Sequence, residues 1–364
     1  MSQESRHVSR SAPEAVRTTL AGATAGAAAG ATVGAAAGTT AGTAPTAQEI
    51  VFDHVVKTYP NSPSPAVDDL SLTVPAGEIC VLLGPSGSGK TTALMMVNRL
   101  AEPTGGDIRI GDRSIRDLDP IQLRRSIGYV IQQTGLFPHL SIAANIATVP
   151  KVLGWDKKRI KDRVAELLDL VGLPVAEYGS RYPAQLSGGQ RQRVGIARAL
   201  AADPPVMLMD EPFGALDPIT REHVQDEFLA LHARIRKTVI FVSHDIDEAV
   251  KMGDRVAILR EGGKLAQYDT PQTLLQKPAD DFVARFVGAD RGLKRLSLIR
   301  LRDLDLTPDP TGSPELPALP GDATLRSALS LMVAEGTDAV RVTGDDGAVL
   351  GTASLDAVRK AGTA

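Results

Sequence analysis

An apolar run that leads directly into a glycine-rich loop constrains the fold of this chain more than any other feature. Ile79–Leu83 is continuously apolar, which is typical of a strand covered on both faces. The next residues fit the pattern G-x-x-x-x-G-K-[ST]: Gly84, Pro85, Ser86, Gly87, Ser88, Gly89, Lys90 and Thr91. Helical periodicity follows over residues 91–100. The order of strand, glycine loop and helix predicts a phosphate-binding site.

The residue types in this loop are those that phosphate binding requires. Glycines let backbone N–H groups turn toward phosphate oxygens, and the amino end of the helix adds a partial positive charge. Lys90 is placed to reach the terminal phosphates and Thr91 to ligate Mg²⁺, with Thr92 beside it in the predicted nucleotide site. The alternative is a glycine turn that only caps a helix, which the complete match in this setting disfavours.

Two adjacent acids follow a second buried strand. Residues 206–209 are apolar and lead to Asp210 and then Glu211 at the carboxyl end. Alone, such a pair predicts a solvated turn or a helix cap. Beside a phosphate loop, Asp210 is predicted to hold Mg²⁺ and Glu211 to polarise the attacking water.

Strands alternate with helices along most of the chain. Strands are expected at residues 50–56, at Val67–Val74 and at Thr238–Val242, and a helix at residues 157–171. This alternation predicts an α/β layered sheet with the functional loops at the carboxyl ends of the strands.

Composition and charge exclude several classes of function. The 40 Lys and Arg residues nearly balance the 43 Asp and Glu residues, so binding to nucleic acid is not expected. The single cysteine, Cys80, permits no intramolecular disulfide, which fits a reducing, cytosolic compartment. No segment has the roughly 18 consecutive strongly apolar residues of a membrane span, so we expect any membrane role to run through a partner chain.

A second segment with anion-binding features lies between the phosphate loop and the acidic pair. Residues 186–190 are Leu-Ser-Gly-Gly-Gln and precede a helix predicted over residues 191–202. By itself the segment indicates a helix cap, but the same serine, glycines and helix amino end form an anion site. In this order the segment resembles the signature motif of ATP-binding cassette (ABC) ATPases. The resemblance covers about residues 50–290.

The resemblance implies a fold, two cofactors and a set of site residues. The fold is α/β, a P-loop NTPase ABC ATPase domain with a mixed-sheet core and a helical subdomain at about residues 134–200. The cofactors are ATP and Mg²⁺. The implied nucleotide-binding residues are Tyr59, the loop residues from Gly84 to Thr92, Asp210, Asp217, and Ser187, Gly188, Gly189 and Gln190. The implied Mg²⁺ ligands are Thr91, Gln132 and Asp210, and the implied catalytic residues are Glu211, His244, Gln132 and Lys90.

Four of these residues take their roles from the resemblance alone. Tyr59 resembles the aromatic residue that stacks on adenine, with a core or turn tyrosine as the alternative. Gln132 resembles the glutamine that senses Mg²⁺ and couples to the membrane partner, although Gln133 beside it leaves the register open. Asp217 matches the aspartate of the D-loop, and His244 matches the switch histidine that contacts the γ-phosphate.

The resemblance also implies partners. With one set of motifs in the chain, two copies would face each other head to tail, each ATP lying between Lys90 of one copy and residues 187–190 of the other. Residues 131–139, 190–195 and 243–249 are most similar to importer ATPases for quaternary-amine osmoprotectants such as glycine betaine, choline or carnitine. Such an ATPase works with a membrane permease and an extracytoplasmic substrate-binding protein, and lies peripherally on the cytoplasmic face of the membrane.

Three other interpretations remain at this stage. An amino-acid, polyamine or phosphate importer would share every catalytic motif. A soluble ABC ATPase of translation or DNA repair is disfavoured because such proteins usually carry two cassettes, coiled coils or zinc sites. A regulatory protein that binds nucleotide without hydrolysis is disfavoured by the presence of Glu211 and His244.

The tail of the chain predicts a small separate module. A helix over residues 324–334, a strand over 339–342, a turn at 345–347, a strand over 349–351 and a helix over 355–361 resemble one cystathionine-β-synthase (CBS) motif. The family usually has two in tandem, so this one either pairs with the other copy or only packs. The basic residues between 291 and 302 are expected to form a solvated face, with contact to anionic lipid as the alternative.

The expected domain organisation follows from these segments. Residues 1–47 are a disordered tail rich in Ala, Gly and Thr, and residues 48–289 form the ABC ATP-binding domain. Residues 290–321 are a linker, and residues 322–364 form a small α+β module with the single CBS-like motif.

Overall fold

The computed structural model describes residues 46–132, 135–308 and 315–363. The strands are β1 (Ile50–Lys57), β2 (Val67–Val74), β3 (Ile79–Leu83), β4 (Gly105–Ile110), β5 (Arg113–Ser114), β6 (Ile127–Val130), β7 (Val206–Asp210), β8 (Thr238–Val242), β9 (Arg255–Leu259), β10 (Leu265–Asp269), β11 (Ala318–Pro320), β12 (Ala339–Thr343) and β13 (Val349–Ser354). The helices are α1 (Lys90–Val97), α2 (Pro120–Ser126), α3 (Ile142–Ile146), α4 (Thr148–Val152), α5 (Lys157–Leu170), α6 (Val175–Tyr178), α7 (Gly188–Ala199), α8 (Pro218–Ile235), α9 (Ile246–Met252), α10 (Pro271–Gln276), α11 (Asp281–Val287), α12 (Arg291–Leu296), α13 (Leu325–Glu335) and α14 (Leu355–Thr363).

A six-stranded sheet carries the phosphate loop and the acidic pair. Its order is β10-β9-β3-β8-β7-β6, and all neighbouring pairs are parallel except β9 with β10. Every residue of β3 and β8 is buried. The side chains of β3 alternate between two cores, Cys80 and Leu82 in one and Val81 in the other. The predicted coverage of this strand on both faces is therefore confirmed, and the parallel strands bring their carboxyl ends to one edge.

A separate antiparallel sheet, in the order β2-β1-β4-β5, packs on one face of the first. Phe52 and Ile108 of this sheet share a core with Leu94 of α1 and with Leu208 of β7. The strands β1 and β2 were predicted, whereas β4 and β5 were not. The molecule thus has the mixed-sheet α/β fold expected from the sequence.

Three helix boundaries differ by three residues from those predicted, and one of them is the end of α7, at Ala199 rather than at residue 202. The helix after the phosphate loop ends at Val97 rather than at residue 100. The helix α7 begins at Gly188 rather than at residue 191, so both glycines of the signature segment are helical. Glycine is a poor helix former, but the Ser187 cap and the burial of Gly189 outweigh that cost here.

A small C-terminal module has its own sheet and core. The three strands lie in the order β11-β12-β13, with β11 and β12 parallel, and α13 and α14 pack against them. Its core includes Leu325 and Val340, and also Leu296 and Leu301, which lie in the segment expected to be a linker. All five tail elements expected over residues 324–361 are present in the predicted order.

The basic stretch between residues 291 and 302 is not uniformly solvated. Lys294 and Arg295 are 7% and 6% exposed. Lys294 Nζ lies 2.5 Å from Asp290 Oδ2 and 3.5 Å from Asp247 Oδ1, while Arg295 donates to the Gly362 carbonyl at 2.9 Å. The expectation of a solvated face was wrong for these two residues, because ionic and backbone partners compensate for their burial.

Two predictions concern residues that the structure does not describe. The predicted disorder before residue 46, and the register of Gln133, lie outside the described residues. Among residues 46–132, 135–308 and 315–363, no helix combines the length and the apolar character needed to cross a membrane.

Candidate nucleotide-binding and hydrolysis site

The phosphate loop closes around the side chain of Lys90. This lysine is the first residue of α1 and is 8% exposed. Its Nζ donates to the carbonyl oxygens of Gly84 at 2.8 Å and Pro85 at 2.9 Å, and lies 3.4 Å from Ser88 Oγ. The ammonium group is therefore fixed at the centre of the loop, where its charge faces an incoming anion.

Glycine is required at both ends of this loop. Gly84 and Gly89 have φ of +154° and +80°. A Cβ on Gly84 would lie 2.3 Å from the Leu259 carbonyl oxygen, and one on Gly89 would lie 2.2 Å from the Ala66 carbonyl oxygen. Gly87 also has a positive φ, +81°, but a Cβ there meets nothing within 4 Å. The loop is packed tightly against the protein at its ends and faces open space in the middle.

Thr91 and Asp210 place two oxygen ligands together at the end of the loop. Thr91 Oγ1 donates to Asp210 Oδ1 at 3.1 Å, joining α1 to the carboxyl end of β7. Burial raises the pKa of Asp210; the Thr91 hydrogen bond opposes the rise and the charge of Glu211 adds to it. A hydroxyl beside a partly desolvated carboxylate is an oxygen donor set of the kind that Mg²⁺ prefers.

The carboxylates of Asp210 and Glu211 also affect the pKa of Lys90. Burial lowers the pKa of Lys90, and the charges of Glu211 and Asp210 oppose that shift. The site thus holds one buried cation beside two acids, which favours binding of a polyanion that arrives with its own divalent cation.

Glu211 lies between two side chains that come from distant parts of the chain. Gln132 Nε2 donates to Glu211 Oε2 at 2.9 Å, and His244 Nδ1 lies 3.4 Å from Glu211 Oε1. Glu211 has φ of +42°, a left-handed conformation that is rare for a residue with a side chain. Its backbone N–H donates to the Val242 carbonyl, two residues before His244. The structure therefore brings together the three predicted residues Gln132, Glu211 and His244.

The signature segment forms a separate group at the start of α7. Ser187 Oγ accepts from the Gln190 backbone N–H at 3.2 Å, and the Gln190 side chain accepts from the Ser187 N–H at 2.9 Å. This reciprocal arrangement is a capping box. A Cβ on Gly189 would lie 2.8 Å from Thr220 Cγ2 of α8, so the helix start packs closely there. Ser187 itself is exposed.

Two further predicted residues lie on the surface. Tyr59 follows β1 and is 40% exposed, with Lys57 Nζ 4.9 Å from the centre of its ring. This position disfavours the alternative of a core tyrosine. Asp217 caps α8: its Oδ1 accepts from the Thr220 N–H at 3.0 Å, and that residue's hydrogen bonds lower the pKa of Asp217.

The hydrogen bond between Ser243 and Glu248, which lies next to His244, was not predicted from the sequence. Ser243, directly before it, is 1% exposed and donates from Oγ to Glu248 Oε2 at 2.5 Å. The signal was present in the sequence, because Glu248 is an acid placed beside the apolar residues Ala249 and Val250 in a short helix.

The residues present fit a nucleoside triphosphate with Mg²⁺. The loop offers a buried ammonium group and an open middle, and Thr91 with Asp210 offers hard oxygen ligands. Within the described residues, the structure contains no cluster of three or more His, Cys, Asp or Glu side chains arranged to hold a metal ion.

Comparison with known proteins agrees with this geometry. The ABC transporter family matches residues 67–214. The osmoprotectant import ATP-binding protein OsmV of Salmonella typhimurium is 52% identical over 290 residues, covering 79% of this chain and 74% of the relative. This chain belongs to the ABC transporter family. This ABC protein is also 45% identical to the choline transport ATP-binding protein OpuBA of Bacillus subtilis, covering 85% of the chain and 79% of the relative. It is 47% identical to the glycine betaine uptake system ATP-binding protein YehX of Escherichia coli, covering 83% of the chain and 96% of the relative.

Solved ABC structures share its fold. A dimeric ATP-binding cassette in a post-hydrolysis state with ADP and Pi is 35% identical, has a TM-score of 0.54, and covers 61% of this chain and 98% of its own. A component of an ABC transporter complex from Clostridium perfringens is 25% identical with a TM-score of 0.58, covering 63% of this chain and 91% of its own. The ABC chain described here is an ATPase, and it binds ATP.

Proposed function

We propose that this ABC protein is the ATP-hydrolysing subunit of an importer that takes up a quaternary-amine osmoprotectant through a separate membrane permease. The observation that carries the proposal is the 52% identity to an osmoprotectant import ATP-binding protein over most of both chains. The choline and glycine betaine relatives belong to the same substrate class. These relatives favour an osmoprotectant importer over an amino-acid, polyamine or phosphate importer and over a soluble ABC ATPase.

Nucleotide binding is assigned to the loop and its neighbours. Lys90 would exchange its loop carbonyl partners for the terminal phosphates, while the backbone of residues 84–92 surrounds them. Tyr59 offers an exposed ring for stacking on adenine. Thr91 and Asp210 would hold Mg²⁺. Gln132 is the third proposed ligand, and its side chain donates to Glu211, the residue that follows Asp210. Bound Mg²⁺ would neutralise developing charge on the phosphate oxygens.

Hydrolysis is assigned to Glu211. Its carboxylate follows the strand that carries Asp210 and accepts a hydrogen bond from Gln132, which orients the group. In the proposed step, Glu211 accepts a proton from the water that attacks the γ-phosphorus, and the bond from that phosphorus to the leaving oxygen breaks. His244, which lies 3.4 Å from the other carboxylate oxygen, is assigned the contact to the γ-phosphate.

A second copy of the chain is proposed to complete each site. Residues 187–190 form a group apart from Lys90, at an exposed helix start whose backbone favours an anion. The dimeric form of the similar cassette with ADP and Pi supports a dimer, which we propose to be head to tail. In that arrangement Ser187, Gly188, Gly189 and Gln190 of one copy would face the nucleotide on the other, next to Asp217.

The remaining partners follow from the proposed import role. We assign a membrane permease and an extracytoplasmic substrate-binding protein as the other subunits, with this chain at the cytoplasmic face of the membrane. The names of the relatives as transport or import proteins support the permease. Nucleic acid is not among the proposed partners.

The C-terminal module is proposed to act as a single CBS-like motif. Its support is the strand and helix order of residues 318–363 around a small core. Pairing with the module of the second copy would form a complete regulatory unit.

The test is uptake of radiolabelled glycine betaine in cells that express this chain with its native membrane partners. We expect uptake that rises with external osmolarity and is abolished by Lys90→Ala. If uptake is absent while the purified chain hydrolyses ATP, the osmoprotectant assignment is wrong and the ATPase assignment stands. Uptake of labelled amino acids, polyamines or phosphate would then identify the class of solute.

A further inference from the structure

Glu248 is a partly buried acid on α9, four residues after His244. Its carboxylate uses both oxygens: Ser243 Oγ donates to Oε2 at 2.5 Å, and Gln225 Nε2 donates to Oε1 at 2.9 Å. Burial raises the pKa of Glu248, and these two hydrogen bonds oppose the rise. A desolvated carboxylate is costly, so its partners define its position closely.

Ser243 connects this carboxylate to the turn that carries His244. The Ser243 backbone N–H donates to the Leu82 carbonyl at 3.1 Å, which anchors the turn to β3. Its hydroxyl donates to Glu248 and also accepts from the Asp245 N–H at 3.0 Å. The Ser243 hydroxyl therefore joins the residue before His244 to the residue after it, and the hydrogen bond to Glu248 orients that hydroxyl.

Gln225 connects the same carboxylate to a different functional element. It lies on α8, the helix capped by Asp217, and is 5% exposed. Its side-chain amide reaches α9 through Glu248 Oε1. The carboxylate thus joins the helix that Asp217 caps to the turn that contains His244. A side chain that only filled space at this position would need neither a charge nor two hydrogen-bond donors directed at its oxygens.

We propose that Glu248 is a positioning residue for ATP hydrolysis, which holds His244 through Ser243 and keeps the His244 turn in register with the helix that begins at Asp217. This inference rests on the proposed role of His244 in hydrolysis. Glu248 acts through Ser243 and Gln225 and does not contact the nucleotide itself. The hydrogen bonds of Glu248 go to Ser243 and Gln225 and not to the phosphate loop, so we expect its substitution to change the affinity for ATP little.

The first measurement is steady-state ATP hydrolysis by the purified full chain and its Glu248→Ala variant. We expect kcat to fall about 10-fold with little change in KM, a size typical of residues that share one hydrogen-bond network. Glu222→Ala is the matched control, because Glu222 is an exposed acid on α8, and it should leave kcat unchanged. An unchanged kcat in folded Glu248→Ala would overturn the inference, while a wild-type chain without ATPase activity would instead contradict the proposed function.

A double-mutant cycle separates positioning from general structural support. In a His244→Ala background, adding Glu248→Ala should cause no further loss in single-turnover hydrolysis, since the residue acts through His244. The same loss in both backgrounds would overturn the inference. A His244→Ala variant with wild-type turnover would remove the assigned role of His244 and the inference with it.

An exchange of the two partners tests the network directly. In the double variant Gln225→Glu with Glu248→Gln, the amide and carboxylate change places, and position 248 still accepts from Ser243. We expect kcat to recover to near wild type, whereas Gln225→Glu alone places two carboxylates together and stays slow. An exchange variant that melts like wild type but remains as slow as Glu248→Ala would overturn the inference.

Discussion

Gln132 donates a hydrogen bond from its side-chain amide to Glu211 Oε2 at 2.9 Å, although the two residues are 79 positions apart. His244 lies 3.4 Å from the other oxygen of the same carboxylate. The left-handed backbone of Glu211 places its side chain between these two residues. Such a conformation persists only where the surrounding structure holds it, and it is common at active sites.

Glu211→Gln should separate nucleotide binding from hydrolysis. The amide keeps the shape of the side chain but cannot accept a proton, so turnover should fall by about 10²- to 10⁴-fold, the usual contribution of a general base. ATP binding through Lys90 should remain. We expect an ATP-bound dimer that is visible by size-exclusion chromatography, with Glu222→Gln as the exposed control. A monomeric variant with normal turnover would contradict the assignment of Glu211 as base.

Substitutions of Ser187 distinguish a helix cap from an anion-binding group. Ser187→Ala removes the cap and should cost about 1 kcal/mol of stability, whereas Ser187→Asp restores a capping oxygen and should cost much less. The aspartate adds a negative charge where the phosphate of the second copy is proposed to bind, so Ser187→Asp should lose turnover despite its stability. Thermal unfolding and ATPase assays measure the two effects. Wild-type turnover in Ser187→Asp would remove the anion-binding role.

Two glycines of the phosphate loop should differ sharply in their tolerance of alanine. Gly87→Ala meets no atom within 4 Å and should cost only about 1–2 kcal/mol for its left-handed backbone. Gly89→Ala adds a clash with the Ala66 carbonyl oxygen and should cost about 3 kcal/mol or more. Urea denaturation gives both values. Equal costs would mean that the backbone near Ala66 moves freely to admit the methyl group.

The raised pKa of Asp210 predicts a specific pH dependence of stability. The folded protein retains a proton that the unfolded chain loses, so this contribution is complete below the ordinary pKa of 3.8 and is lost as pH rises through the folded pKa. Asp210→Asn should therefore be more stable than wild type at neutral pH, with an advantage that shrinks toward acid, and it should not hydrolyse ATP.

Denaturation curves across a series of pH values measure this difference. Asp112→Asn, at an exposed position, serves as the control for the substitution itself. An advantage of Asp210→Asn that is constant with pH would contradict the role of burial.

The C-terminal module should alter the salt response of the ATPase more than its basal rate. Lys294 links the module to α9 through Asp247, whose carboxylate is partly exposed and therefore screened by salt. Deletion of residues 291–364 should leave turnover largely intact and change its dependence on salt, and Lys294→Met should reproduce this change. Arg291→Met, an exposed position on the same helix, should not. An unchanged salt response in all variants would assign the module a structural role.

Local patterns were sufficient to predict the elements that carry the site. Ile79–Leu83, the loop at Lys90 and the strand before Asp210 are contiguous signals, since buried parallel strands are apolar throughout. The tail elements were also predictable, because helix and strand periods follow one another there with clear turns. The catalytic grouping of Gln132, Glu211 and His244 was predictable only through the family resemblance.

Features set by tertiary contacts could not be predicted in this way. The strand β4 begins with Gly105 and Gly106, which carry no strand signal, and it exists because β1 pairs with it. The burial of Lys294 depends on carboxylates from two other positions, Asp247 and Asp290. The start of α7 at Gly188 depends on the capping box and on close packing against Thr220.

The hydrogen bonds of Lys90 within its own loop have a thermodynamic consequence for ligand entry. An arriving phosphate must take over an ammonium group that already donates to Gly84 and Pro85. Binding is therefore an exchange of acceptors, and its measured heat reports the difference between phosphate and carbonyl oxygens rather than the full strength of a new ionic bond. Calorimetry of nucleotide binding should accordingly understate the importance of this lysine, which only substitution reveals.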